Sequence, residues 1–306
     1  MLLLYSIYFL AGMALLLFGA DKLTDTASHI AHRLGVNPII IGMTILAVGT
    51  SIPEMSNAAI SMAHGVGDVA FGDIIGSDLV QITLILGIVA LIRPLQAKRK
   101  ELVFYGIADL FAILLAFFAI KDGAIDWKDG IILILFYVVF LSYTIRNEHI
   151  SKHHFTQRHD RHWVYYFLAL IAGFILVFAG SRAVVFATKG FAQHFAWPTY
   201  VVAFLIVGLG TSLPELFIAA NAARKKKFNL SVGTLLGSNI TDPTLSLGFG
   251  ALFTKGTLVP ALAVHHLYFL IIATMLIIGA FALRKKFTKI MGLGAIGLYV
   301  LAIVIF

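Results

Sequence analysis

The stretch Gly49-Thr50-Ser51-Ile52-Pro53-Glu54 recurs as Gly210-Thr211-Ser212-Leu213-Pro214-Glu215. Aligned there, the halves also match at Gly76-Ser77 with Gly237-Ser238, Thr83 with Thr244 and Gly87 with Gly248, all at one offset of 161 residues. Upstream, Pro38 matches Pro198 after a one-residue gap. A duplication of this length requires a fold built from two related units.

The units belong in a bilayer. Of the 306 residues 60% are hydrophobic and 12% charged, whereas soluble globules carry about 25% charged residues. Cutting at charge clusters and Gly/Pro breaks gives ten apolar segments near 2–20, 38–62, 70–92, 102–120, 128–145, 163–181, 198–222, 230–252, 261–283 and 288–306. Several approach the roughly 20 residues that cross a hydrocarbon core as a helix, which predicts an all-α integral membrane protein. The N-terminus has no basic flank before its apolar run, so it reads as a first span and not as a cleaved signal.

Alternate connections lie on opposite faces of the membrane, and the Lys and Arg residues divide accordingly. Eighteen of the 23 fall in the odd-numbered connections and five in the even ones. By the positive-inside rule the odd connections are cytoplasmic, and both termini are expected outside an inner (cell) membrane crossed many times. The net charge of +8 thus has a topological origin and argues against a nucleic-acid partner. Five spans per half is an odd number, so the second copy enters the membrane upside down. The predicted organisation is a first repeat at 1–145, a cytosolic His-rich linker at 146–162 and a second repeat at 163–306. Such inverted repeats are typical of secondary transporters, whose substrate sites lie near the midplane at broken helices.

On a helix, positions i, i+3, i+4 and i+7 share a face. Ala47, Thr50, Ser51 and Glu54 have this spacing, as do Gly208, Thr211, Ser212 and Glu215. Pro53 and Pro214 lack the N–H that would bond the carbonyls of Gly49 and Gly210, so two backbone oxygens are predicted to be released at membrane depth. One span later Ser77 and Gln81 share a face, as do Ser238 and Asp242. These donors are all oxygens, the ligands preferred by hard cations such as Ca²⁺. Two glutamates match the charge of one divalent ion, and carboxylates within spans persist mainly where they bind or relay something. A lone motif of this kind could be a packing device; its duplication together with the partner serines favours a site.

These residues resemble the cation/Ca²⁺ antiporter superfamily, most closely its prokaryotic sodium/calcium exchanger branch. The two hexapeptides, with Gly76-Ser77 and Gly237-Ser238-Asn239-Ile240-Thr241-Asp242, look like that family's paired repeats, and the resemblance covers essentially the whole chain. It implies export of cytosolic Ca²⁺ against Na⁺ by alternating access, with two mobile helices sliding against a fixed bundle of eight. Ca²⁺ and Na⁺ would be the transported substrates, the bilayer the only other partner, and no cofactor would be needed; the protein is expected to work as a monomer. Carried over by motif position, Glu54 and Glu215 would be the central Ca²⁺ ligands, shared with Na⁺, with Thr50 and Thr211 beside them. Ser51, Ser77, Ser212 and Ser238, with the backbone at Ala47 and Gly208, would line flanking Na⁺ positions, and Asp242 matches a position that is acidic in several branches.

The chain departs from the pattern at Gln81, where asparagine is usual, and at Asp73 and Asp78, which add acids. Gln81 is expected to crowd the centre or draw its amide away, and the two aspartates to face a watery vestibule. The alternative reading they leave open is a Ca²⁺/H⁺, or other divalent cation/H⁺, antiporter. A membrane phosphatase would need cationic side chains beside the glutamates, and every Lys and Arg falls in a connection or at a span end. Asp109 lies within the fourth span, as a bundle stabiliser or beside the ion path. His149 and His153 are spaced to share a helical face, which permits a metal in the linker. Trp127, Trp163 and Trp197 fall at predicted span ends, where aromatic belts form.

Overall fold

The computed structural model describes residues 1–65, 67–95, 99–149, 163–194, 208–254, 257–258, 261–283 and 287–305. Its helices are α1 (Leu2–Leu34), α2 (Pro38–Thr50), α3 (Ile52–Ala63), α4 (Val69–Ile92), α5 (Arg99–Ile120), α6 (Trp127–His149), α7 (Trp163–His194), α8 (Gly208–Thr211), α9 (Leu213–Arg224), α10 (Phe228–Thr241), α11 (Leu247–Ala251), α12 (Ala261–Leu283) and α13 (Lys289–Ile305). Among the described residues six helices are long and apolar enough to cross a membrane, seven if the bent pair α2–α3 is one span. The protein is therefore an all-α membrane protein. Two short strands, β1 (Ala124–Ile125) and β2 (Thr257–Leu258), pair antiparallel between distant connections. Pro198, Trp197 and residues 150–162 of the linker, with His153, lie outside the described residues, as do the side chains of 147–149, including His149.

Local chemistry sets the boundaries. Gly35 adopts φ 67°, the left-handed conformation open to glycine, and lets the Val36 N–H reach back to the Ala31 carbonyl at 3.0 Å, which ends α1. Two residues on, Asn37 caps α2 by accepting the Ile39 N–H at 3.2 Å, with Pro38 in the first turn.

α1 and α7 outlast their predicted spans, which ended near 20 and 181, and run to Leu34 and His194. The charged residues there do not end the helices because they lie on faces with other work: Asp21 and Asp25 meet lysines of the α9–α10 turn, Arg182 borders a cavity, and Leu23, Ala27 and Ile30 stay buried. The two helices touch backbone to backbone. A Cβ on Gly12 would lie 2.8 Å from the Gly180 carbonyl oxygen, and one on Gly19 3.0 Å from that of Gly173. Small residues give such close approach inside a membrane, where packing substitutes for hydrophobic collapse. A second reciprocal set joins Gly87 to Gly292 and Gly248 to Gly130, each added Cβ falling within 3.0 Å of the partner's carbonyl.

Candidate cation site

The hexapeptides break their helices at equivalent points. Ser51 separates α2 from α3 with φ −81° and ψ 1°, and Ser212 separates α8 from α9 with φ −90° and ψ 5°; the α2–α3 axis turns by 42°. Pro53 and Pro214 sit in the first turns that follow, where a missing N–H costs nothing. Glu54 and Glu215 stand one residue further on, both fully buried.

α4 and α10 complete the centre. Val80–Ile85 of α4 and Asp242–Ser246 after α10 are π turns, wider than α-helix and frequent at functional sites. Thr83 bonds to the Leu79 carbonyl and Thr244 to that of Ile240, each within its own turn. The wide turns bring Gln81 and Asp242 together: the Gln81 Nε2 donates to Asp242 Oδ2 at 3.3 Å, and Ser246 Oγ donates to Oδ1 at 3.3 Å. The longer amide of Gln81 is thus drawn onto the residue 161 positions away.

Hydroxyls pair across the halves in the same reciprocal way. Thr50 Oγ1 is 3.5 Å from Ser238 Oγ, and Ser77 Oγ is 3.2 Å from Thr211 Oγ1. Asn239 Nδ2 reaches the Asp78 carbonyl at 3.4 Å, again a pair separated by 161. Glu54 lies within electrostatic reach of Glu215, Asp242 and Asp73, and Thr50 lies beside Glu215. Among the described residues the buried carboxylate oxygens of Glu54 and Glu215 and the hydroxyls of Ser51 and Ser212 make no hydrogen bond of normal geometry, with Ser51 lying beside Asp242. Buried polar atoms are normally satisfied, so this arrangement is electrostatically incomplete without a cation or protons. Among the described residues no three Asp, Glu or His side chains converge closely enough to hold a metal by themselves. A cation there needs hydroxyl, amide and backbone oxygens as well, and Ca²⁺ accepts such mixed shells.

Several expectations are corrected. The Gly210 carbonyl is not left free, because the Ser181 hydroxyl of α7 donates to it at 2.7 Å. The Ala47 carbonyl accepts the Ser51 N–H at 3.0 Å and the Thr50 hydroxyl at 3.1 Å, so a cation there must displace one donor. Gly208 opens α8 at the matching place. Asp73 does border a vestibule, but Asp78 does not: it is 1% exposed and within reach of Asp242 and of the fully buried Asp109. Asp73 and Ser77 are four positions apart, which fixes Asp73 on the face of Ser77, while Asp78 turns toward Asp109 of α5.

The vestibule is a cavity of about 1010 Å³ between α3 and α7, bordered by Pro53, Asn57, Asp73, Arg182, Thr211 and Pro214 among others. Asn57, Ser181 and Ser246 escaped the sequence reading because the repeat does not mark them: their counterparts 161 residues away are Ile218, Ala20 and Ile85.

The class these features define is a helical membrane protein with a buried, all-oxygen centre built from both halves of one chain. The sodium/calcium exchanger protein family model matches residues 4–146 and 165–306. An uncharacterised membrane protein of Methanocaldococcus jannaschii is 31% identical over 97% of this chain and 96% of its own. The sodium/calcium exchanger MaX1 of Methanosarcina acetivorans is 26% identical over 80% and 81% of the two chains. The solved sodium-calcium exchanger NCX_Mj, soaked with zero Na⁺ and Ca²⁺, superimposes with a TM-score of 0.85 at 29% identity, covering 99% of both chains. This chain belongs to the sodium/calcium exchanger family, and its activity is antiport of the sodium/calcium-exchange type.

Proposed function

We propose that this protein exports Ca²⁺ from the cytosol in exchange for Na⁺ by alternating access, on ten spans arranged as two inverted repeats of five, at 1–145 and 163–306, joined by a cytosolic linker at 146–162. The observation that carries the reading is reciprocity about a local two-fold. Thr50 meets Ser238 and Ser77 meets Thr211 around two glutamates whose buried oxygens make no hydrogen bond of normal geometry among the described residues. Equivalent residues meeting across a centre are what an isologous contact between two copies produces, and an inverted pair can open the same centre to either face.

Glu54 and Glu215 hold Ca²⁺ and share it with Na⁺, Thr50 and Thr211 complete the inner shell, and Ser51, Ser77, Ser212, Ser238, Ala47 and Gly208 serve flanking Na⁺ positions. Gln81 and Asp242 close the far side of the centre. The cavity lies on the face reached by the even connections, which is extracytoplasmic on the Lys/Arg distribution, and this supports reading the state as outward-open. The protein works as a monomer in the inner membrane with both termini outside, and needs no cofactor.

The test is ⁴⁵Ca²⁺ uptake into Na⁺-loaded liposomes diluted into Na⁺-free buffer, against K⁺-loaded and pH-gradient controls. Uptake that requires the Na⁺ gradient, and that is lost in Glu54→Gln and in Glu215→Gln, is expected. Robust uptake by the double Gln variant would falsify the site. Uptake that follows the proton gradient instead would select the Ca²⁺/H⁺ alternative, which the extra buried acids Asp78 and Asp109 favour.

A further inference from the structure

Asp73 is a buried carboxylate that the two-fold arrangement does not account for. It lies one helical turn before Ser77 on the same face of α4 and borders the cavity, about 6 Å nearer its mouth by the 1.5 Å helical rise. Only 5% of it is exposed. The Asn57 Nδ2 of α3 donates to its Oδ2 at 2.7 Å, and Asn57 in turn accepts from Ser61 Oγ at 3.3 Å. The other oxygen, Oδ1, makes no hydrogen bond of normal geometry among the described residues, and Thr211, a residue of the Ser77–Thr211 pair, lies beside the carboxylate and interacts with it. One oxygen is therefore anchored by a positioned amide while the other remains available on the route from cavity to centre.

The route from the opposite face lacks this group. The residue 161 positions beyond Asp73 is Thr234, fully buried, whose hydroxyl is spent on the Leu230 carbonyl at 2.9 Å. The counterpart of Asn57 is Ile218, also fully buried. A carboxylate held by an amide on one approach faces a back-bonded threonine and an isoleucine on the other.

We propose that Asp73, with the Thr211 hydroxyl, forms an entry site for a partly hydrated hard cation arriving from the cavity, and that Asn57 is its positioning residue. The entry site makes the two faces unequal in apparent cation affinity although the centre itself is nearly symmetric. The carboxylate attracts cations at the inner end of a cavity whose wall also carries Arg182, so the focusing belongs at the low end of what charged clefts give, roughly tenfold in association rate. The inference rests on the exchange reading above and sharpens its substrate path.

The experiment compares inside-out and right-side-out membrane vesicles, measuring the half-saturating Ca²⁺ concentration on each face for wild type, Asp73→Asn, Asp73→Glu and Asn57→Ala. The ratio of the cavity-face to the opposite-face value is expected to rise about tenfold in Asp73→Asn. It should return toward wild type in Asp73→Glu and rise part of the way in Asn57→Ala, which keeps the carboxylate and covers the case that Asp73→Asn does not fold. Equal shifts on both faces, or none, overturn the entry site while leaving exchange intact. A wild type without Na⁺-driven flux would count against the exchange reading instead. A second readout then judges the entry site: the chain has no cysteine, so Ser56→Cys places a single thiol on the cavity wall. The Ca²⁺ concentration that half-protects this thiol from maleimide should rise about tenfold when Asp73→Asn is added; an unchanged value refutes the site.

Discussion

The end of the molecule away from the cavity carries a cluster of ion pairs, and on the alternating-access reading cutting it should move the conformational equilibrium by a calculable amount. Lys225 Nζ lies 2.6 Å from Asp21 and 2.9 Å from Asp25, and Lys227 Nζ lies 2.8 Å from Asp25. The pairs tie α1 to the turn after α9, about 16 Å along α9 from Pro214 at the cavity, by the helical rise. α1 packs on α7 through Gly12, Gly19, Gly173 and Gly180, and Arg33 sits 4.5 Å from the Trp163 ring. If α1 and α7 slide as a unit, the lysine contacts belong to one conformation only. The residues 161 positions from Asp21 and Lys225 are Arg182 and His64, both basic, so these two positions do not form an equivalent pair at the cavity end.

Asp25→Asn removes two of these contacts, whose side chains are 25–45% exposed. Exposed ion pairs contribute about 0.2–1 kcal/mol each, so the closed end loses roughly 0.4–2 kcal/mol, a shift of about 2- to 30-fold in the two-state equilibrium. Thr24 is fully buried beneath the contact, the Lys227 Nζ lying 3.5 Å from its carbonyl. As the chain's single thiol, Thr24→Cys should react with maleimide in proportion to the minor, opened population, so its rate should rise by the same factor in Asp25→Asn. Added salt should raise the wild-type rate in the same direction by screening. A Thr24→Cys rate indifferent to both Asp25→Asn and salt would refute the reasoning.

Ser181→Ala should uncover the buried Gly210 carbonyl and lower thermal stability in detergent by about 1–3 kcal/mol, the cost of an unsatisfied buried acceptor; an unchanged melting temperature would mean another donor replaces Ser181. Gly12→Leu should force α1 from the Gly180 backbone, where even a Cβ would come within 2.8 Å, costing at least about 1–3 kcal/mol; wild-type melting and flux would show that the helices do not depend on that approach. Acidification should slow Na⁺-driven Ca²⁺ uptake, because protons and cations compete for the unpartnered oxygens of Glu54 and Glu215; an acid-stimulated rate would contradict that competition.

The chain spelled out its class and offered the candidate parts of its centre. Apolar runs that long have few alternatives to helices in a bilayer, since every backbone N–H and C=O must be satisfied within the segment. A motif repeated at a constant offset pointed to the glutamates, threonines and serines because both copies carry them. Helix ends in α1 and α7 were not legible from charge, since Asp21 and Asp25 are accommodated by Lys225 and Lys227, some 200 residues away.

Only the tertiary structure could set Thr50 against Ser238 and Gln81 against Asp242, because those contacts depend on how two helical units pack. It also decided which oxygens stay open, handing the Gly210 carbonyl to Ser181 and one oxygen of Asp73 to Asn57. The repeat reports what its two copies share, and the asymmetry proposed between the two faces rests on residues they do not share, whose meaning comes from packing.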